Sequence, residues 1–261
     1  MPLAQQLIFS IPSVILCVLI IIIAVVLSVG GTLLAHRFIP LRKLKVHNDI
    51  AGPIFGTLGV IYAVLLAFMV VVIWQKFDRA NTNVEMEVNC LVNLYADAEP
   101  LEQAFKQNVR SSIINYTKTI INEWDILAKG DHSPEGHKAI LKLVTLYSSY
   151  SPKTETEKIF FQEAVGKLND LLDLRILRFL DARTGIHPLL WFVLIFAGVI
   201  TIAFTIFFGS ESLSAKILMS VLLAVVIALV LFIILEFSFP FTGSARISCE
   251  PFQKLIMYLG I

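Results

Sequence analysis

HNDIAGPIFGTLGVIYAVLLAFMVVVIWQKFD, residues 47–78, is the stretch that decides how this chain folds. No charged side chain lies between Asp49 and Lys76, and the run closes on Trp74, Gln75 and Lys76. An uncharged apolar run of that length reads as a helix crossing a bilayer, with an aromatic and a basic residue at its boundary. Gly52, Gly56, Gly59, Ala63 and Ala67 share a narrow arc of its surface at about 100° per residue. Lipid tails are as apolar as leucine, so such a stripe associates through van der Waals contact and not by excluding water. Other helices of the chain, or copies of the same helix, are expected along it. Tyr62 and Phe55 flank the stripe; they form a hydrophobic constriction in a pore or, in the plainer reading, pack on a neighbouring helix.

His47, Asn48 and Asp49 stand where this helix enters the bilayer. Asn or Asp at that point accepts bonds from free backbone N–H groups, and an acid complements the helix dipole. The competing reading is a gate at a pore mouth, where protonation of His47 changes the local charge between about pH 5 and 8.

Composition agrees with a membrane protein. Of 261 residues 57% are hydrophobic and 16% charged, with a mean hydropathy of +0.79, where a soluble domain carries about 25% charged residues. A formal net charge of +1 supplies no field to attract nucleic acid. Cys17, Cys90 and Cys249 form no CxxC pair and no zinc spacing. Cys17 sits in an apolar run as a small hydrophobe; Cys90 and Cys249 can pair as a disulfide if the middle of the chain and the tail both lie outside the cytoplasm. The sequence holds no HExxH, no GxSxG, no P-loop and no dinucleotide fingerprint, so no enzyme, cofactor or metal centre is expected. His132 and His137, beside Asp131 and Glu135, read as part of a loop.

Outward from the central stretch, Ile11 to Leu34 is a first membrane helix, and the loop holding Arg37, Arg42, Lys43 and Lys45 is the most basic short connection. The positive-inside tendency puts that loop in the cytoplasm and the middle of the chain outside, whereas Lys76, Arg79, Arg175, Arg178 and Arg183 flank the membrane on the side of the middle domain and argue the reverse. From Lys76 the composition turns charged. Val84, Val88, Leu91 and Tyr95 continue the second helix toward Pro100, and Leu101 to Leu127 describes an amphipathic helix stopped by Gly130. Ser133-Pro134 opens a third soluble helix with Ile140, Val144 and Tyr147 inside. Thr154 and Glu157 form a capping box for a fourth, whose inner face is Phe161, Ala164, Leu168, Leu171, Leu172 and Phe179. HPLLWFVLIFAGVITIAFTIFFG (residues 187–209) and the run from Ile217 to Leu235 are the last two spans.

The expected organisation is all-α, with four transmembrane helices: a first pair in 1–75, a soluble helical bundle in 76–186, a second pair in 187–236, and an interfacial tail in 237–261 that lies along the membrane surface or packs back on the soluble helices. Glu87 on the first soluble helix is expected to form an interhelical ion pair with Arg175 or Arg178 on the fourth, fixing register. No ionisable residue lies near the middle of a span, which argues against a proton-coupled carrier and leaves a channel open.

HNDIAG with GVIYAVLLAF and WQKF, the set Glu87, Leu91, Leu94 and Tyr95, LNDLLDLRILR, HPLLWFVLIFAGVITIAFTIFFG and FPFTGSARISCEPF together resemble the bacterial bestrophin-like membrane-protein family. The last carries the tail motif of Pro240, Phe241, Gly243, Glu250 and Pro251; the chain departs from the family in having Phe237, Ser238 and Phe239 before it. The resemblance covers nearly the whole chain. It implies a multi-pass protein of the bacterial inner membrane in a family of unassigned function, named for bestrophins, which are oligomeric chloride-conducting channels. A homo-oligomeric pore for a small inorganic ion, an anion among the candidates, is the expected function. A membrane-anchored sensor or scaffold, with soluble helices that bind a partner, is the alternative.

Overall fold

A computed structural model describes residues 2–38, 48–205, 208 and 212–260, and the described residues form helices without strands. The helices are α1 (Leu3–Ser10), α2 (Ser13–Phe38), α3 (Asn48–Asp97), α4 (Gln103–Leu127), α5 (Pro134–Ser149), α6 (Glu155–Arg183), α7 (Pro188–Phe204), α8 (Leu213–Phe237) and α9 (Glu250–Tyr258). Four helical stretches are long and apolar enough to cross a membrane: Ser13–Phe38, Asp49–Asp97, Glu155–Phe204 and Leu213–Phe237. The apolar part of the third is α7. Basic loop residues Arg42, Lys43 and Lys45 lie outside the described residues.

The chain divides into two compact units. One comprises Ser10–Gln75 and Gly185–Ser238, the other Met1–Phe9, Lys76–Thr184 and Phe239–Ile261. In the first unit α2 and α8 run antiparallel, because Ser13 donates to Glu236 at 2.6 Å while Thr32 and Ser220 share a hydrogen bond of 3.3 Å. Between these bonds Ser28 on α2 and Ala224 and Ala228 on α8 are small buried positions, beside the larger Leu16, Ile227 and Ile234. In lipid, short side chains of this kind let two backbones approach. The close seam of this unit therefore lies between α2 and α8. The outer faces are largely apolar, with polar residues such as Arg37, Asp49 and Gln75 exposed toward the helix ends and at the unit boundary. Val14, Val26, Val60, Phe68, Phe192 and Met219 are each more than half exposed, a surface that only hydrocarbon or another apolar face can cover.

In the second unit one apolar cluster takes a face from each element. Phe105, Val109, Ile113, Tyr116, Ile120, Trp124 and Leu127 come from α4, Ile140, Leu143 and Tyr147 from α5, and Ala164, Leu168, Leu171 and Leu174 from α6. Leu143 and Leu174 are more deeply placed than Val144, Leu172 and Phe179, which only border the cluster. The helix starts follow from their caps. Ser133 accepts from the Gly136 N–H at 3.1 Å with Pro134 in the first turn, and Thr154 accepts from the Glu157 N–H at 3.1 Å. The Glu157 carboxylate reaches back to the Lys153 N–H at 2.6 Å, one residue beyond the reciprocal partner of a standard capping box. Gly130 takes a positive φ of 71° just past α4, where only glycine turns without strain.

One element is not expected from the sequence. Residues 3–10 form a separate helix whose Gln5 is buried, its amide donating to Ala182 O at 3.0 Å, Thr242 Oγ1 at 3.2 Å and Ala128 O at 3.4 Å. Of the two courses expected for the tail, it takes the second: Phe241, Ile247, Phe252 and Leu255 enter the soluble cluster, and α9 packs on α4. Trp124 holds it by donating to Ile247 O at 3.0 Å.

Enlarging the α2–α8 seam is predicted to be costly. Ala224 is fully buried, so Ala224→Leu should destabilise the protein by about 1–3 kcal/mol. A lowered melting temperature in detergent, followed by tryptophan fluorescence, checks this; an unchanged one contradicts the seam.

Candidate functional site

The face that α3 turns toward its own chain is not the small-residue stripe. Tyr62, Leu66, Met69 and Ile73 are buried, in one cluster with Leu194, Ile227 and Ile234. The Tyr62 hydroxyl donates to Leu194 O at 3.1 Å, and a Cβ built on Gly198 would stand 2.7 Å from that hydroxyl oxygen. Gly198 is thus the residue that lets α7 approach Tyr62. Phe55 stacks on Phe204 at 5.8 Å and meets Phe208 edge-on at 5.4 Å. Both aromatics expected to constrict a pore are engaged inside the chain, which is the packing alternative.

Gly52, Gly56 and Gly59 have no atom within 4 Å of an added Cβ. Gly56, Ala63 and Ala67 are exposed, and Gly52 and Gly59 are half-buried. The expectation that other helices of the same chain pack along this stripe is therefore corrected: bulky side chains make the intrachain contacts, and the stripe faces outward. At the entry of α3, His47 lies outside the described residues, Asn48 begins the helix, and Asp49 is exposed in its first turn. An acid there meets the unpaired N–H groups and the positive end of the helix dipole.

The soluble unit contains a buried charge network. Arg178 donates to both Glu87 oxygens, from Nε at 2.9 Å and from Nη2 at 3.3 Å, and neither side chain is exposed. The Tyr116 hydroxyl donates to Glu87 Oε1 at 2.7 Å. Burial, and next the Glu87 carboxylate, push the Tyr116 phenol well above its ordinary range, so it stays a donor. Arg175 bonds elsewhere, to Glu123 at 3.3 Å and to Tyr116 at 3.4 Å. Glu123 also accepts from Ser133 at 2.6 Å, which carries the network into the N-cap of α5. Two arginines and two glutamates leave no net charge. The Arg178 guanidinium lies 5.3–5.8 Å from the ring centres of Phe179, Trp124 and Phe252, within reach of cation–π attraction.

Sequence reasoning paired Glu87 with Arg175 or Arg178 but passed over Glu123, Tyr116, Ser133 and Gly136. The signal for Glu123 was available: it falls in phase with Tyr116, Ile120 and Leu127 on the apolar face of α4, where an acid needs a partner. Along the same helix pair Asn83 donates to Asp181 at 3.2 Å, and Lys76 donates to Thr184 O. Of the tail motif, Phe241 is fully buried and stacks edge-on with Trp124 at 5.7 Å; Pro240 O accepts from the Ile247 N–H at 2.8 Å. Gly243 has φ 89°, while Glu250 and Pro251 open α9. Cys90 and Cys249 are both free thiols, so the disulfide is corrected. No group of three or more His, Cys, Asp or Glu side chains suited to a metal occurs among the described residues.

Arg178→Met should cost about 3–5 kcal/mol by leaving the Glu87 carboxylate buried without its cation, and Glu87→Met combined with Arg178→Met should cost less than the single change. Equal destabilisation in chemical unfolding of the two variants would contradict this. At Gly136 an added Cβ would lie 2.3 Å from Glu123 Oε2, whereas at Gly166 nothing lies within 4 Å. Gly136→Ala is predicted to lower stability by about 1–3 kcal/mol, and Gly166→Ala to raise it by about 0.4–1 kcal/mol; matching melting temperatures would rule out the crowding at Gly136.

Comparison with known proteins places this arrangement. No curated protein sequence matches the chain. Among solved structures, two single-substitution variants of a bacterial bestrophin homologue from Klebsiella pneumoniae share its fold. One aligns with a TM-score of 0.69 at 14% identity, over 92% of this chain and 99% of that one. The other aligns with a TM-score of 0.70 at 13% identity, over 92% and 98%. A third structure, described as a membrane protein, gives 0.68 at 13% identity over 92% and 97%. The Bestrophin-like domain matches residues 22–252, from inside α2 to the start of α9. That match covers most of the chain, including the last three spans and the soluble helices between them, and the chain belongs to the Bestrophin-like family.

Proposed function

We propose that the protein is a homo-oligomeric ion channel of the bacterial inner membrane, in which the Gly/Ala stripe of α3 forms contacts between subunits. The observation that carries this is the stripe itself. A Cβ added at Gly52, Gly56 or Gly59 would meet nothing among the described residues, although Gly costs about 1 kcal/mol relative to Ala in a helix interior. A close approach by a second backbone offsets that cost; lipid does not. A single four-span chain is too small to enclose a conduit, so a pore needs several copies around an axis. The family likeness adds the channel reading, with a small inorganic ion as the permeant species and an anion as in bestrophins.

The competing reading, a membrane-anchored sensor or scaffold, requires no oligomer and leaves the stripe against lipid. Gly59→Leu and Ala63→Leu place bulk on the stripe without touching the buried Tyr62 face. Native mass spectrometry from detergent should find a defined oligomer for the wild type and a smaller species for both variants. A monomeric wild type, or variants that assemble unchanged, would overturn the proposal.

A further inference from the structure

We propose that a cleft in the soluble unit, between α5 and α6, binds a small aromatic monocarboxylate. The cleft has a volume of about 320 Å³, at the small end of the range of ligand sites, and its lining combines apolar walls with a few polar groups at one side. Leu141, Ile176 and Phe179 supply apolar lining from the two helices, and the His132 ring centre lies 5.4 Å from that of Phe179. These surfaces suit a flat apolar body.

Arg183 supplies the charge. His132 and His137 line the cleft beside it as polar rings, with one acid, Asp131, 3.6 Å from His132 Nδ1. Arg183 Nε donates to Gly130 O at 2.8 Å, which fixes the guanidinium at the mouth and leaves its remaining N–H groups to face an incoming oxygen. Gly130 holds that carbonyl in place through its positive φ, and a Cβ there would crowd Gln5 and Ala182. A planar guanidinium recognises a carboxylate through paired N–H donors. An anion with an apolar ring thus matches both halves of the site. An acid without the ring, or a ring without the acid, matches only one.

Arg175 also lines the cleft; its Nη1 is committed to Glu123 and Tyr116, while its Nη2 is buried without a hydrogen-bond partner among the described residues. The cleft is therefore built on the buried charge network, and an occupant would rest on the side chains that join α4, α5 and α6.

Isothermal titration of the full chain in detergent, with empty micelles subtracted, tests the site using 3-phenylpropionate as probe. Its neutral alcohol, 3-phenylpropan-1-ol, and acetate serve as the two half-matched ligands. Saturable binding of one 3-phenylpropionate per chain is expected, with the alcohol and acetate each weaker by about tenfold or more, the discrimination given by a charged hydrogen bond. Arg183→Gln should weaken the acid by about tenfold and leave the alcohol unchanged. His137→Gln, at an exposed position that makes no demand on folding, should weaken the acid in the same direction. Equal binding of acid and alcohol, absence of saturable binding, or unchanged affinity in both variants would overturn the proposal.

Discussion

Inside a bilayer two helices gain little by hiding apolar surface from each other, because hydrocarbon solvates that surface as well as a neighbouring leucine does. Association must come from short-range contact and from hydrogen bonds that have no water to compete with them. This constraint organises the membrane unit. Ser28, Ala224 and Ala228 bring α2 and α8 close, with Thr32–Ser220 and Ser13–Glu236 bonds on either side. Gly198 admits the Tyr62 hydroxyl to a backbone carbonyl of α7. The α3 stripe has the same small-residue character and no intrachain partner, which makes it the surface to examine for assembly.

The soluble unit works under the opposite constraint. Water is available, apolar burial drives packing, and a buried charge is expensive unless paired. Yet Glu87, Glu123, Arg175 and Arg178 are all almost fully buried. Their arrangement meets much of the requirement by bidentate and shared bonds, by the Tyr116 and Ser133 hydroxyls, and by aromatic faces over the cations, with Arg175 Nη2 and Arg178 Nη1 left without hydrogen-bond partners among the described residues. Such a network contributes register more than net stability, since apolar substitutes of similar volume often do as well. Register matters here: α3 is a single helix whose first half belongs to the membrane unit and whose second half carries Asn83 and Glu87 into the soluble one.

Much of the fold was legible in the sequence because its signals are local. Uncharged runs mark the spans, Ser133-Pro134 and Thr154 mark helix starts, and the recurrence of Ile113, Tyr116, Ile120 and Trp124 marks an inner face. The short helix α1 was not legible, and the tail's inward course could be offered only as one of two, since each depends on distant partners: Gln5 on Ala128, Ala182 and Thr242, and Phe252 on the soluble cluster. The covered side of α3 was misjudged for a further physical reason. Periodicity identifies residues that share a face, but in lipid both the covered and the uncovered faces are apolar. Only packing reveals that Tyr62, Leu66, Met69 and Ile73 turn inward. Glu87 could be matched to the α6 arginines because the helices that carry them read as continuations of neighbouring spans, whereas the choice of Arg178 over Arg175 depends on the positions of Tyr116 and Glu123.

The central claim is that copies of this chain surround a conduit for ions. Purified protein reconstituted into planar lipid bilayers tests it most directly. The account predicts discrete conductance steps that scale with salt concentration and disappear when the α3 stripe is blocked. A homogeneous oligomer that inserts into the bilayer and passes no current across the accessible voltage range would contradict it.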